Sequence, residues 1–287
     1  MSTLAEPRVL LTDLAVGESP RWHDGRLWFA NWGAREVVAT DLHGNREVIA
    51  HSSAPAGYSI DWLPDGRLLL TGHELLRQEA DGLLVTHADL TSLSTYGWNE
   101  IVVDGRGNIY VNSINFNFGQ EDFRPGLIAL VTPDGTARQV ADGLAFPNGM
   151  VVTPDNKTLV VAESFTGNLT AYDIDSDGSL SNRRVWAALG GPGKGDGICI
   201  DAEGAIWCSV VHEDEPACWR VREGGEVLQR IELNKACFAC MLGGEDGRTL
   251  FMMVAEWWGV ERMGELFQSR TGQVLTMSAP APHAGRP

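Results

Sequence analysis

The chain has 287 residues, a hydrophobic fraction of 44% and a net charge of −16. This acidity disfavours nucleic acid and anionic membranes as partners, because binding to either requires basic surface patches. The sequence has no apolar run of the ~18 residues that a membrane helix needs. Its start lacks a basic segment followed by an apolar one, which predicts a cytoplasmic protein.

Taken in chain order, a short apolar run, a tight polar turn and a second apolar run recur six times. The copies start 40 to 49 residues apart, at Glu18, Tyr58, Asn99, Asn148, Asp196 and Ala239. A repeat of about 45 residues with several strands per copy is typical of a β-propeller. We therefore predict an all-β fold, a six-bladed β-propeller of four-stranded antiparallel blades. It forms one domain over residues 1–287, with a core at about 8–276 and a C-terminal tail at 277–287.

The first copy shows the plan of a blade. Strands are predicted at residues 18–23, 27–30, 36–40 and 46–50, and Asp24-Gly25 supplies the turn between the first two. The sixth copy lacks a fourth strand of its own. The apolar segment at residues 7–12 is predicted to pair with residues 272–277, which would close the ring and cover an exposed edge.

Four of the six copies open with an oxygen-bearing side chain. Equivalent positions of the blades face one axis, so we expect these four side chains to converge there: Glu18, Asn99, Asn148 and Asp196. Two carboxylates and two amides suit one hard divalent cation such as Ca²⁺, Mg²⁺ or Mn²⁺, and Zn²⁺ if carboxylate and water dominate its shell. The alternative is that Asn148-Gly149 and Asp196-Gly197 are ordinary turn formers.

Four motifs carry a resemblance to a known family: Gly17-Glu-Ser-Pro-Arg-Trp22, Phe146-Pro-Asn-Gly-Met150, Gly195-Asp-Gly-Ile-Cys199 and Cys240-Met-Leu-Gly-Gly244. Their order and spacing resemble the senescence marker protein/gluconolactonase/luciferin-regenerating enzyme family, which includes regucalcin-like proteins. The resemblance implies a propeller with one divalent cation in its channel and a lactonase or related ester hydrolase activity. It also implies metal ligands at Glu18, Asn148 and Asp196. Asp196 would be the general base, and Asn99 would meet the substrate as a second catalytic residue.

This chain departs from the family pattern where a sugar would bind. Sugar lactonases of the family often carry an arginine at the position of Gly97, and an acidic residue that can contact the sugar falls near Asn115 or Asn117. The predicted contacts with a small-molecule substrate are Trp98, Asn99, Asn115, Asn117 and Trp257. The loops expected to frame the mouth of the channel are residues 31–35, 72–75, 113–125, 163–167, 211–217 and 255–270.

The sequence therefore predicts a metal-dependent lactonase, in which the metal polarises the carbonyl and Asp196 assists the attack of water. An alternative is a metal-stabilised propeller that binds or regulates a partner without turnover, because a fold does not define a function. A third alternative is a condensing enzyme similar to strictosidine synthase.

Overall fold

Short strands rich in Val, Ile, Leu and aromatic residues alternate with Gly- and Asp-containing turns along the chain, which favours antiparallel sheets. The computed structural model describes residues 6–54, 57–211 and 215–285, and these form six sheets of four antiparallel strands. The prediction of a six-bladed β-propeller is confirmed.

The first half of the described chain forms three blades. It begins with β1 (Arg8–Leu14), which belongs to the sixth blade. Blade one consists of β2 (Gly17–His23), β3 (Arg26–Asn31), β4 (Glu36–Thr40) and β5 (Arg46–His51). Blade two consists of β6 (Ile60–Trp62), β7 (Leu68–Leu70), β8 (Leu75–Gln78) and β9 (Leu84–Ala88). Blade three consists of β10 (Ile101–Val103), β11 (Ile109–Ser113), β12 (Gly126–Val131) and β13 (Ala137–Leu144).

The second half forms the remaining blades. Blade four consists of β14 (Pro147–Val152), β15 (Thr158–Glu163), β16 (Asn168–Ile174) and β17 (Leu180–Ala188). Blade five consists of β18 (Lys194–Ile200), β19 (Ile206–Val210), β20 (Ala217–Val221) and β21 (Val227–Glu232). Blade six consists of β22 (Ala236–Gly243), β23 (Thr249–Ala255), β24 (Gly272–Ser278) and β1.

The first strand of each blade lies nearest the axis. These innermost strands contact one another in a closed series, β2 to β6, β10, β14, β18, β22 and back to β2. The core lies mainly between neighbouring blades, where Phe29, Trp207 and Phe251 are fully buried within one apolar cluster. Because large aromatic side chains bury much surface, such clusters hold the blades at fixed positions around the axis.

Blade six is completed by the two ends of the described chain. β1 pairs antiparallel with β24, and Arg8 lies opposite Thr276, which confirms the predicted closure of the ring. The chain continues beyond β24 along the propeller, where Ala202 N donates to Pro282 O at 2.8 Å. The segment expected to be a tail is thus bonded to the blades as far as Ala284, whose N donates to the carbonyl oxygen of Ile200 at 3.3 Å.

Among the residues that the structure describes, helical structure lies in the loops. A 3₁₀ turn covers Trp32–Ala34, and the loop between β23 and β24 contains a second at Val260–Arg262 followed by α1 (Met263–Gln268). The sequence pattern does not predict α1, which buries only Leu266. In the described ranges, no helix is long and apolar enough to cross a bilayer.

Candidate active site

Breaks in the pairing register of three innermost strands occur at the predicted metal ligands and change the way their side chains point. The register shifts in β2, β14 and β18 where Glu18, Asn148 and Asp196 lie. A bulge turns a side chain out of the regular alternation of a strand and is frequent beside active sites. All three residues stand near the beginning of their strands, and Asn99 lies two residues before the start of β10. The four side chains are therefore on loops and strand ends at one end of the propeller.

Two glycines allow the innermost strands to approach closely at this end. A Cβ atom on Gly149 would lie 2.7 Å from the carbonyl oxygen of Asp196, and one on Gly197 would lie 2.5 Å from the Cβ of Ala239. Both glycines lie within strands and neither has a positive φ. The Asn148-Gly149 and Asp196-Gly197 pairs therefore lie in strands and do not form turns, and their glycines let adjacent blades meet beside Asn148 and Asp196.

Glu18 is a buried acid and Asp196 is a half-buried one, and their charges repel each other. Glu18 is 3% exposed, and burial, followed by the charges of Asp196 and Glu100, raises its pKa well above the ordinary value. Burial and Glu100 also raise the pKa of Asp196, whereas a hydrogen bond with Asn148 lowers it. Among the residues that the structure describes, neither acid forms a salt bridge with a basic side chain.

A third acid, Glu100, lies beside this pair and was not selected from the sequence. It is 4% exposed and accepts a hydrogen bond from Ser59 Oγ at 2.9 Å. Its Oε2 atom lies 3.7 Å from Nη2 of Arg21, which is also buried. Burial raises the pKa of Glu100 although Arg21 lowers it. Glu100 and Arg21 are charged residues next to or inside predicted innermost strands, and this signal in the sequence could have identified both.

The two amides keep their oxygen atoms available. Asn148 Nδ2 lies 3.3 Å from Ser164 Oγ, and the main-chain oxygen of Asn148 accepts a bond from Asn112 Nδ2 at 2.7 Å. Asn99 Nδ2 lies 3.4 Å from the carbonyl oxygen of Pro147. In the described part of the chain, neither Oδ1 accepts a hydrogen bond. Both asparagines are partly exposed, so their oxygens can meet a ligand.

This donor set fits a hard divalent cation. Carboxylate and amide oxygens are the ligands that such cations prefer, and a 2+ charge would relieve the repulsion between Glu18 and Asp196. Over residues 6–54, 57–211 and 215–285, no three His, Cys, Asp or Glu side chains form a metal-binding group. A metal site here would therefore depend on the amide of Asn148 as its third protein ligand.

Two predicted substrate contacts, Asn115 and Asn117, are engaged within their own loop. Asn115 Nδ2 donates to the carbonyl oxygen of Pro125 at 3.0 Å, and Asn117 Nδ2 donates to Glu121 Oε1 at 3.0 Å. Both amide groups therefore stabilise the loop between β11 and β12. A direct contact of either residue with substrate stays a prediction.

The two predicted tryptophans lie in different surroundings. Trp98 is fully buried in the core between blades two and three, so it could meet a ligand only if this core opened. Trp257 is partly exposed and packs edge to face on Phe238, with ring centroids 6.0 Å apart. It lies in the long loop of blade six, at the same end as the acids. Their roles in substrate binding stay predictions.

The loops between second and third strands surround this end of the channel, as their positions in the antiparallel sheets require. The loop of blade five, expected at residues 211–217, lies partly outside the described residues because 212–214 are not among them.

The sequence matches the family model of the SMP-30/Gluconolactonase/LRE-like region over residues 16–256. The chain belongs to this family. The match extends from the strand that carries Glu18 to the start of the long loop of blade six. It includes the four residues predicted to converge at the axis: Glu18, Asn99, Asn148 and Asp196. The family resemblance predicted from the motifs is confirmed.

Named relatives of the family span most of the chain. It is 27% identical over 206 residues to pentonolactonase XacC of Haloferax volcanii, covering 70% of this chain and 68% of that protein. It is 25% identical over 275 residues to regucalcin of Xenopus laevis, covering 89% and 88%. A solved structure of a calcium-binding protein, regucalcin from Agrobacterium tumefaciens, has a TM-score of 0.79 at 21% identity and covers 99% and 96%. The likeness to that structure concerns the fold.

Proposed function

We propose that the protein is a metal-dependent hydrolase that opens lactones of small molecules. The observation that carries this proposal is the pair of neighbouring acids, buried Glu18 and half-buried Asp196, which lack a basic partner in the described residues. The side chain of Asn148, whose Oδ1 accepts no hydrogen bond in the described residues, lies beside Asp196. Membership of a family with gluconolactonases in its description and similarity to a protein named as a pentonolactonase support the lactone as substrate class.

Glu18, Asn148 and Asp196 would hold one divalent cation, Ca²⁺, Mg²⁺, Mn²⁺ or Zn²⁺. When bound, such a cation supplies Lewis-acid polarisation of a carbonyl and stabilises negative charge on its oxygen. The chain's own residues would perform the proton transfers. Asn99, partly exposed and with an unpartnered Oδ1 in the described structure, would orient the attacking water or the substrate.

Asp196 would act as the general base. Its carboxylate would accept a proton as the water oxygen attacks the carbonyl carbon of the lactone. The bond between that carbon and the ring oxygen would then break, and the proton would pass to the departing alkoxide. The product is a hydroxy acid, and no covalent enzyme intermediate is needed. Glu100, held by Ser59 and Arg21, would keep the electrostatic potential at Asp196 negative.

The deciding experiment measures hydrolysis of a lactone panel by protein treated with chelator and then reloaded with each of the four cations. We expect turnover only after reloading, and a fall in kcat of about 10²–10⁴-fold in Asp196→Asn, the range typical of general acid–base catalysis. Cation binding that raises the melting temperature without turnover of any lactone would instead favour the non-catalytic binding propeller. Full activity of Asp196→Asn would rule out the proposed base.

A further inference from the structure

Five phenylalanines form an aromatic group at the same end of the propeller as the acids. They come from three loops of blades three and four, and we call them the phenylalanine cluster: Phe116, Phe118, Phe123, Phe146 and Phe165. The ring centroids of Phe146 and Phe165 are 4.7 Å apart, and those of Phe123 and Phe165 are 5.6 Å apart. Phe116 is 4% exposed, but Phe123 is 48% exposed and Phe165 is 36% exposed. The cluster therefore has a buried base and an open apolar top.

This cluster is built on the segments that carry the site. Phe146 precedes Asn148 by two residues, so their Cα atoms lie within about 7 Å of each other. Phe165 directly follows Ser164, whose Oγ lies 3.3 Å from Asn148 Nδ2. Ser164 N also donates to the carbonyl oxygen of Phe146 at 3.0 Å. A ligand held at Asn148 would thus lie beside the aromatic rings.

The backbone of Phe146 adds a second indication. Its φ of 64° lies in the left-handed region, which bulky residues rarely adopt. Such conformations persist where the surrounding structure fixes them, and they concentrate at ligand-binding sites. Here the hydrogen bond between Ser164 and Phe146 holds this conformation.

The polar groups of this region are poorly suited to a sugar. The side-chain amides of Asn115 and Asn117 donate to Pro125 and Glu121 of the same loop. Gly97 has no side chain with which to bind a hydroxyl group. Hydroxyl groups placed against the phenylalanine rings would therefore lose hydrogen bonds to water without replacing them, whereas an apolar group would cover exposed rings.

We propose that the phenylalanine cluster binds an apolar substituent of the lactone, an alkyl or aryl group, and makes the enzyme selective for such lactones over polyhydroxylated ones. The inference rests on the proposed lactonase activity and names its substrate class. Phe165 and Phe123 are the specificity-determining residues, because their rings are the part of the cluster still open to a ligand.

The experiment compares three six-membered lactones of one ring chemistry on cation-loaded protein: δ-valerolactone, δ-nonalactone with its butyl substituent, and D-glucono-δ-lactone. We expect kcat/KM for δ-nonalactone to exceed that for D-glucono-δ-lactone by about tenfold or more, since a few methylenes in an apolar site give about 10–200-fold discrimination. Phe165→Ala should lower the ratio of kcat/KM for δ-nonalactone to that for δ-valerolactone by about tenfold, and Phe165→Leu should restore most of it. Phe123→Ala should act in the same direction and provides an independent variant.

Val185→Ala is the matched control, because Val185 is a 60% exposed apolar residue on β17, the outer strand of the blade that carries Phe165. This substitution should leave the ratio of kcat/KM for δ-nonalactone to that for δ-valerolactone unchanged. Faster hydrolysis of D-glucono-δ-lactone than of δ-nonalactone, or an unchanged ratio in both phenylalanine variants, would overturn the inference while leaving the lactonase proposal intact. Hydrolysis of none of the three lactones, nor of any in the wider panel, would overturn both.

Discussion

The close contact at Gly149 leads to a prediction that links packing to cation binding. In Gly149→Ala the new methyl group would lie 2.6 Å from Ile198 N and 2.7 Å from the carbonyl oxygen of Asp196. Both are main-chain atoms, and ordinary contact begins at 3.4 Å, so β14 and β18 would have to separate by several tenths of an ångström. The φ of Gly149 is accessible to alanine, which leaves steric overlap as the cause.

The size of the effect follows from this displacement. Overpacking of a tight contact lowers the free energy of unfolding by about 1–3 kcal/mol. Each kcal/mol lowers the melting temperature by about 2–4 °C. The same displacement would separate Asn148 from Asp196. Metal–ligand distances tolerate only about ±0.2 Å, so we expect Ca²⁺ affinity to fall by about 10–100-fold, as when a supporting partner of a metal ligand is lost.

Urea unfolding and calorimetric Ca²⁺ titration measure the two effects on the same samples. Gly264→Ala is the control, because a methyl group there would meet nothing within 4 Å and Gly264 lies in α1, where alanine is the better helix former. It should leave affinity unchanged and stability equal or higher. A Gly149→Ala protein with wild-type midpoint and wild-type affinity would refute the argument that this contact sets the spacing of the site.

Three further outcomes are expected. Glu18→Gln should weaken Ca²⁺ binding by at least about tenfold in calorimetry, because it removes one of two acids facing the cation; unchanged affinity would exclude Glu18 as a ligand. The pKa values of Glu18 and Asp196 are raised in the folded protein, so the folded state binds these protons more tightly than the unfolded state does. As the pH rises through the raised pKa values, chelated protein should therefore lose stability relative to cation-loaded protein. A difference in urea midpoint between chelated and cation-loaded protein that does not change with pH would contradict this. Arg220→Met should destabilise by about 3–5 kcal/mol in urea, because Arg220 Nε lies 2.7 Å from the fully buried carboxylate of Asp201, whereas Arg222→Met at an exposed pair should change little.

The propeller itself could be predicted because its signals are local and repeated. The turn at Asp24-Gly25 has the positive φ that a tight hairpin needs, and six copies of one pattern identify the number of blades. Closure by an N-terminal strand, predicted at residues 7–12 and observed at Arg8–Leu14, followed from counting strands, since the last blade lacked one. α1 was missed because it contains only one buried residue, Leu266, and such a short helix leaves no apolar periodicity.

Much of the candidate site could not be predicted, because it depends on contacts between blades. The repeat register selected Glu18, Asn148 and Asp196, but the bulges that direct them appear only in the strand pairing. Glu100 was passed over because the register points to its neighbour Asn99. The amides of Asn115 and Asn117 looked free to bind substrate in the sequence, since their partners within the loop are determined by how that loop folds.

The pairing of β1 with β24 places Arg8 opposite Thr276, so it joins segments that are separated by most of the described chain. During translation, the ring cannot be completed until residues 272–278 have left the ribosome, so β1 must wait while five blades emerge. Glu18 follows this waiting strand by only four residues, and its position relative to Asp196 depends on blade six, which lies between their blades. A cation shared by Glu18 and Asp196, as proposed above, would therefore bind a finished ring rather than guide its assembly, and a nascent chain would expose the unpaired edge of blade six to proteases until β1 and β24 meet.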